Sequence, residues 1–355
     1  MDVSEQTIKR TIEGVFIKHG ISSEIIKVDY GPAFSRYTVK ILSKIVEISL
    51  SDLSNDIALA TDAPYSVRIE EFPEKEKTFG IEIPNKGLRA ISFDSILKQY
   101  KLSKLNYKLP VLLGVDVENK ERFADLVELE NIVIAGTTGS GKSTFNHVLI
   151  NTLISKYSSK ELKMYLADPK RVELLSYKIL PHLIDIVHIE LDNILHSLGL
   201  MTVERKRREI LLEDRHVKSF DEYNSQLTDN KLPYIVIIID TFSDMMAYAP
   251  IRFENYMSQI LSDSTTYGMH TVICDSRPSV DVFTEKLMKL FPTRIAFNTS
   301  SIIDSRVSLG QAGAEKLLGR GDMLFLPENV QRPIRIQGAY ISENEIEKII
   351  NRLRV

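Results

Sequence analysis

A glycine-rich segment at residues 136–144, which reads GTTGSGKST, limits the possible folds of this chain more than any other part of its sequence. It matches the full pattern G-x-x-x-x-G-K-S/T, whose glycines let backbone N–H groups curl around phosphate oxygens. An apolar run at residues 132–135 precedes it, and a helical pattern at residues 145–156 follows it. This order directs the helix N-terminus at a bound phosphate. The alternative, a glycine-rich turn without a ligand, needs the pattern and its context to coincide by chance.

The chemistry of this loop assigns roles to its residues. Lys142 is expected to reach the β and γ phosphates of a nucleotide, which also makes it a candidate catalytic residue, and the Ser143 hydroxyl is expected to hold Mg²⁺. The candidate nucleotide-binding residues are Gly136, Thr137, Thr138, Gly139, Ser140, Gly141, Lys142, Ser143 and Thr144. ATP and Mg²⁺ are therefore the predicted cofactors.

A second element favours a metal-dependent nucleotide site. The apolar run at residues 235–239 ends in Asp240, and an acidic residue there can orient the Mg²⁺ shell of a bound nucleotide. Asp240 is therefore predicted to be a Mg²⁺ ligand and a catalytic residue; the alternative is an aspartate that caps the next turn. Thr241 follows, where many ATP-hydrolysing P-loop proteins have a glutamate that activates the attacking water. A threonine hydroxyl cannot act as a base near neutral pH.

The chain after Pro110 alternates apolar runs with helical patterns. Such strands, flanked by helices, are typical of a parallel sheet covered on both faces. Residues 111–355 are therefore predicted to form an α/β P-loop nucleotide-binding domain with a parallel-rich sheet. The expected strands lie at residues 131–135, 163–167, 234–239, 271–275 and 294–298, and the expected helices at residues 145–156, 191–212 and 251–267.

Residues 1–110 are predicted to form a small α+β domain. Apolar residues repeat at helical spacing from Ile8 to Phe16, and a second helix is expected to open at Ser51. Strand-like runs lie at residues 25–29, 36–42 and 66–72. The lysine-rich segment at residues 98–108 is interpreted as a solvated connector that leads to the boundary near Pro110.

Charge and cysteine content narrow the functional classes. The chain has 355 residues and a net charge of −3, so contact with nucleic acid must come from a local patch of cations. The single cysteine, Cys274, cannot form an internal disulfide and lies in an apolar run, which is typical of a core thiol.

No signal peptide is visible, and no apolar run approaches the roughly 20 residues that span a bilayer. A cytoplasmic chain with no membrane segment is expected.

Several blocks of the sequence carry a family resemblance when they are taken together in this order: residues 135–143, Asp168-Pro169-Lys170, 180–183, 232–236, 277–282, 292–297, 303–306 and 311–315. With these blocks, the chain resembles the motor region of the FtsK/SpoIIIE family of DNA translocases. Residues 31–86 also resemble the small α domain of that family. The resemblance implies a RecA-like motor domain that forms a ring, usually a hexamer, around double-stranded DNA, with ATP bound between neighbouring subunits. It also implies homo-oligomerisation, or hetero-oligomerisation with an intact family member.

The chain departs from the family at four catalytic positions. Thr241 replaces the catalytic glutamate, and Ser276 stands where the family usually has a glutamine. Thr265 aligns with an arginine, and Ile302 with a lysine, that act on the nucleotide of a neighbouring subunit. The alternative is an alignment that slips by one residue in the loops, which bears most on Thr265.

These departures favour retained binding with damaged hydrolysis. Arginine fingers and water-activating groups each supply orders of magnitude in rate. We therefore expect a pseudo-ATPase that binds ATP and DNA and acts as a structural or regulatory subunit. The alternative is an active ATP-dependent DNA translocase in which another carboxylate, such as Asp244 or Asp275, replaces the missing glutamate.

The resemblance also implies two DNA-contacting pore loops. These loops carry Arg277 and Arg306 here, and Lys286 and Lys289 lie near the first. Cations in such loops bind phosphates without reading sequence. The alternative for each arginine is a structural ion pair, for instance between Arg306 and Asp304.

Overall fold

A computed structural model of the chain describes residues 3–43, 49–72, 77–87 and 89–353. The strands of these residues form two sheets, one of four strands and one of eleven. No helix within the described residues is both long enough and apolar enough to cross a membrane.

The smaller sheet is antiparallel and packs against two helices. Its elements are α1 (Val3–Lys18), β1 (Ser23–Tyr30), β2 (Phe34–Ile41), α2 (Leu50–Ala60), β3 (Arg68–Glu71) and β4 (Thr78–Pro84), with strand order β1-β2-β4-β3. The apolar spacing that predicted α1 is confirmed, because Ile12 and Phe16 are fully buried against the sheet. Helix α2 begins at Leu50, one residue before the expected opening, because the Ser49 side chain accepts the Asp52 N–H as its cap.

The larger sheet carries the phosphate loop. Its strands are β5 (Ile91–Ser92), β6 (Pro110–Asp116), β7 (Glu121–Asp125), β8 (Ile132–Ala135), β9 (Leu162–Ala167), β10 (Leu183–His188), β11 (Tyr234–Asp240), β12 (Met269–Asp275), β13 (Thr293–Phe297), β14 (Asp322–Leu326) and β15 (Ile334–Tyr340). The order is β10-β9-β11-β12-β8-β13-β14-β15-β6-β7, with β5 beside β15. Each of the five expected strands is present to within two residues.

This sheet is mixed and rich in parallel pairs, which confirms the predicted parallel-rich sheet. The six strands from β10 to β13 in that order are parallel, whereas β14, β15, β6 and β7 are antiparallel to their neighbours. Short connections at residues 117–120 and 327–333 return the chain directly beside itself, and such turns impose antiparallel pairing. The fold is therefore parallel-rich, and only its parallel half has the geometry of a nucleotide-binding sheet.

Helices cover both faces of the larger sheet. They are α3 (Phe93–Gln99), α4 (Leu126–Leu129), α5 (Lys142–Lys156), α6 (Leu191–Asp214), α7 (Phe220–Ser225), α8 (Ser243–Tyr248), α9 (Pro250–Leu261), α10 (Glu285–Met288), α11 (Ile302–Leu309) and α12 (Glu343–Arg352). Along β11, Val236 and Ile238 join the core around α5, whereas Ile237 and Ile239 join the core around α6 and α9. Burial on both faces explains the continuous apolar run of this strand.

The expected helix at residues 251–267 is shorter than predicted. It ends at Leu261 because Asp263 adopts a left-handed conformation, with φ of 52°. A 3₁₀ turn, Ser264–Tyr267, then leads into β12. The break places Thr265 outside the helix.

A buried ionic network joins the two sheets. The Glu82 carboxylate on β4 accepts hydrogen bonds from Arg36 at 2.5 Å, Arg68 at 3.0 Å and Arg335 of β15 at 2.5 Å. Arg335 also donates to both carboxylate oxygens of Asp322, at 2.9 and 2.6 Å. The predicted boundary between domains 1–110 and 111–355 stays a prediction.

Candidate nucleotide site

The phosphate loop connects β8 to α5 in a conformation that requires glycine. Gly136 and Gly141 have φ of 153° and 124°. A Cβ atom on Gly141 would lie 2.7 Å from the backbone nitrogen of Gly321, and one on Gly136 would lie 2.7 Å from the Cβ of Phe297. Such distances are too short for any side chain, so the glycines are required for close approach as well as for backbone conformation.

Hydrogen bonds hold the loop in place. The Thr137 N–H donates to the Asn298 carbonyl at 2.7 Å, and the Gly321 N–H donates to the Ser140 carbonyl at 2.8 Å. The ammonium of Lys142 donates to the Thr137 carbonyl at 2.9 Å and is largely buried. Helix α5 has Gly141 at its N-cap and no side-chain cap, so its first N–H groups are available to an anion. The predicted binding residues thus form one compact loop.

Asp240 lies at the same edge of the sheet as the loop. It ends β11 opposite Cys274, and the next residue of β12, Asp275, pairs with Ala135 at the start of the loop. Asp240 is almost fully buried, and burial together with the charges of Asp168 and Glu173 raises its pKa to about 6. A nearby divalent cation would relieve this unfavourable charge.

The donor set fits Mg²⁺ only when a nucleotide shares the metal. The Ser143 hydroxyl at the start of α5 and the Asp240 carboxylate are hard oxygen ligands of the kind that Mg²⁺ prefers. Within the described ranges, no group of three or more His, Cys, Asp or Glu side chains is placed to hold a metal by itself. Phosphate oxygens would therefore complete the coordination shell, as in nucleotide-dependent Mg²⁺ sites.

Residues outside the motifs form the rest of the site. A cavity of about 510 Å³ borders the loop, a volume within the range of small-molecule sites. Its other walls come from β5, β15 and the turn before β14, and include Arg89, Arg320, Gln337 and Tyr340. No contiguous motif links these residues to the loop, so the sequence did not indicate them as part of the site.

Two acidic residues after β9 were also missed as site residues. Asp168 is fully buried; its Oδ2 accepts the N–H groups of Glu173 and Leu174, both at 2.9 Å, and its Oδ1 has no hydrogen-bond partner among the residues that the structure describes. Glu173 lines the cavity beside Lys142 and Ser143. The Asp168-Pro169-Lys170 block was a signal for this segment, although it did not indicate a role.

Two of the four departing positions lie beside the loop. Thr241 directly follows Asp240, is buried, and has φ of 57°, which is unusual for a β-branched residue. Ser276 follows Asp275 at the end of β12 and is half-buried. The Asp275 carboxylate accepts the N–H groups of Ser243 and Arg277, at 2.6 and 2.8 Å, and thereby fixes the turn.

The other two departing positions have different surroundings. Thr265 precedes β12, and its neighbour Ser264 accepts a hydrogen bond at 3.3 Å from Asn131, which precedes β8. Because β12 is seven residues long, Thr265 lies roughly 20 Å along the sheet from the edge that carries the loop. Ile302 begins α11 with about half of its surface exposed. Thr265 therefore cannot touch a nucleotide bound by its own chain.

The predicted DNA contacts divide into free and paired cations. Arg277 and Arg306 are exposed, and neither side chain forms an ion pair with any described residue, Asp304 included. Lys286 lies 3.7 Å from the Glu254 carboxylate, and Lys289 lies 2.8 Å from that of Glu285. The two arginines are therefore the better placed of the four to meet phosphates.

Comparisons with known proteins agree with this architecture. Residues 94–280 match the model of the FtsK/SpoIIIE family, and residues 2–85 match the FtsK alpha domain. The chain is 38% identical over 345 residues to DNA translocase FtsK of Caldanaerobacter subterraneus subsp. tengcongensis, covering 97% of this chain and 48% of that protein. It is 34% identical over 351 residues to DNA translocase SpoIIIE of Bacillus subtilis, covering 96% and 44%. The chain spans about half the length of these curated relatives.

Solved structures show the same fold. The pCW3 conjugation coupling protein TcpA, a monomer form with ATPgS, superposes with a TM-score of 0.68 at 19% identity, covering 98% of this chain and 99% of that one. The cytoplasmic domain of the type VII secretion ATPase EccC of Thermomonospora curvata gives 0.65 at 22% identity, covering 75% and 34%. The predicted class, a RecA-like P-loop domain preceded by a small α+β domain, is confirmed.

Proposed function

The chain belongs to the FtsK/SpoIIIE family, and we propose that it binds ATP with Mg²⁺ and binds double-stranded DNA without reading sequence. We further propose that it hydrolyses ATP weakly or not at all, and acts as a structural or regulatory subunit of a ring. The observation that carries this proposal is the combination of two features. The phosphate loop is intact and closely held, whereas the residue after Asp240 is a threonine instead of a glutamate.

Nucleotide binding is supported by the loop and its surroundings. The Lys142 ammonium donates a hydrogen bond to the Thr137 carbonyl within the loop, and would exchange that bond for one to a phosphate oxygen. The free N–H groups at the start of α5 favour the same anion. Ser143 and Asp240 would hold Mg²⁺, which would neutralise charge on the β and γ phosphates.

Impaired hydrolysis is supported by the groups at the departing positions. Neither Thr241 nor Ser276 carries a group that accepts a proton from water near neutral pH. Neither Thr265 nor Ile302 carries a cation for a neighbouring nucleotide. Residues that act together on one transition state are strongly non-additive, so a single restoration recovers little.

Ring formation and DNA binding rest on family membership and on two placements. Thr265 lies far from its own loop, as expected for a position whose usual arginine acts between subunits. Arg277 and Arg306 are exposed and free of ion pairs within the described part of the chain. The ring would be a homo-oligomer or would include an intact family member.

Steady-state ATPase activity with duplex DNA tests the proposal. The wild type should turn over far more slowly than an intact translocase, and Thr241→Glu alone should recover little. The combination of Thr241→Glu, Ser276→Gln, Thr265→Arg and Ile302→Lys should recover much more, provided that light scattering shows the same assembly for each protein. Brisk DNA-stimulated turnover by the wild type would instead establish the alternative function, an active ATP-dependent DNA translocase.

A further inference from the structure

The carboxylates near the phosphate loop differ in whether their oxygens are already occupied and whether they line the cavity. Asp240 is assigned to Mg²⁺, and both Asp275 oxygens are occupied by backbone N–H groups. Asp168 is completely buried and uses one oxygen to hold the backbone of the following turn. Among the described residues that line the cavity, Glu173 is the only one with a carboxylate.

The backbone of Glu173 is fixed by a hydrogen bond, whereas its carboxylate has no lysine or arginine partner among the described residues. Its backbone N–H donates to Asp168 Oδ2 at 2.9 Å, which fixes the start of the turn after β9. Its side chain is 32% exposed and forms no ion pair with a lysine or arginine among the described residues. His147 of α5 faces this carboxylate, and its Nε2 lies 3.9 Å from Glu173 Oε2.

The other ring nitrogen of His147 is held by a hydrogen-bond network. Its Nδ1 lies 3.0 Å from the hydroxyl of Tyr177, and the amide of Asn151 donates to the same hydroxyl at 2.8 Å. Burial lowers the pKa of His147 more than the charges of Glu173 and Glu343 raise it, so the imidazole is neutral near pH 7. Glu173 therefore faces the cavity beside an imidazole that is fixed in place and neutral.

We propose that Glu173 is the general base for whatever ATP hydrolysis this chain retains, in place of the residue missing at Thr241. The inference rests on the proposed binding of ATP at the phosphate loop. Strand β9, which leads to Glu173, is the neighbour of β11, which leads to Asp240, so both carboxylates reach the nucleotide from the same edge of the sheet.

The reaction balances without any further reactant. Glu173 removes a proton from a water molecule while the water oxygen forms a bond to the γ-phosphorus of ATP. The bond from that phosphorus to the β–γ bridging oxygen breaks, and its electron pair leaves with ADP. The products are ADP and inorganic phosphate, and protonated Glu173 returns its proton to solvent.

Single-turnover hydrolysis of γ-labelled ATP, with protein in excess and duplex DNA present, tests this role. Glu173→Gln keeps the shape of the side chain but removes the base. It should lower the rate constant by roughly 100-fold or more, the low end for general-base catalysis, or to the detection limit. The affinity for Mg·ATP should stay within about twofold of the wild type, since the role is in the chemical step.

Glu343→Gln is the matched control, because Glu343 also acts on His147, is exposed, and does not line the cavity. Its rate constant should equal that of the wild type. The inference would be overturned if both variants lost the same fraction of the rate constant, or if Glu173→Gln left the rate constant unchanged. It would also be overturned if the rate lost in Glu173→Gln were accounted for by weaker binding of Mg·ATP. Wild-type protein that binds ATP but never cleaves it would also overturn the inference, and would leave the binding proposal intact. Wild-type protein that binds no ATP would overturn both.

Discussion

Replacement of Glu82 by glutamine removes the central charge of the network that joins the two sheets. The side chain is completely buried, and three arginines converge on it: Arg36, Arg68 and Arg335. Glutamine preserves the shape of the side chain but offers a neutral oxygen and an amide that cannot accept. Three guanidinium groups then share fewer anionic partners in a region with little access to water.

The expected cost follows from what each arginine retains. Removing one partner of a buried ion pair costs about 3–5 kcal/mol, because the remaining charge is left uncompensated. Arg335 keeps two hydrogen bonds to Asp322, and Arg68 keeps Glu70 at 3.4 Å. We therefore expect the lower end, about 3 kcal/mol, which is a large share of the 5–15 kcal/mol by which domains are typically stable.

Urea denaturation followed by circular dichroism measures this cost. Glu285→Gln is the control, since Glu285 is exposed and pairs with Lys289 at 2.8 Å on the surface; its unfolding midpoint should not move measurably. A loss below about 1 kcal/mol for Glu82→Gln would refute the reasoning, because that magnitude belongs to solvent-screened pairs.

The same network predicts how stability depends on pH. Burial alone would raise the pKa of Glu82, but the charges of Arg68, Arg335 and Arg36 outweigh it and hold that pKa well below its usual range. Its contribution is therefore fully present above the unfolded-state pKa of about 4.3 and is lost as pH falls below that value. The difference in unfolding free energy between wild type and Glu82→Gln should shrink as the pH is lowered from 5 toward 3. A constant difference across that range would contradict the assignment.

Three further outcomes test the site. Lys142→Ala should abolish binding of Mg·ATP in calorimetry, because the loop loses its only cation; retained affinity would remove Lys142 from the site. Gly141→Ala should also lose nucleotide affinity and lower the thermal unfolding midpoint, since the added Cβ would collide with the Gly321 backbone, and a variant with wild-type affinity and midpoint would show that the loop moves freely. Combined Arg277→Ala and Arg306→Ala should weaken duplex binding alike for all sequences and reduce its salt dependence in fluorescence anisotropy, whereas loss for one sequence alone would indicate base recognition.

The sequence alone was sufficient to predict the phosphate loop, the strand before it, the helix after it and the apolar strand that ends in Asp240. These features are encoded locally, since the glycine positions set a backbone path that only glycine adopts and a continuous apolar run requires burial on both faces. The order of such blocks along the chain was also enough to indicate the family. Local pattern was less reliable at the end of α9, where one left-handed residue, Asp263, stops a helix that periodicity continues.

Contacts between distant segments could not be predicted from the sequence, because they depend on how the whole chain packs. Glu82 and Arg335 are 253 positions apart, yet they share a buried hydrogen bond. The cavity walls at Arg320 and Tyr340 reach the loop because the sheet turns antiparallel after β13, a change that apolar periodicity does not record. Glu173 faces the same cavity because β9 pairs beside β11 in the sheet. Periodicity reports which face of an element is buried, whereas strand order and the packing of remote segments depend on the free energy of the whole fold.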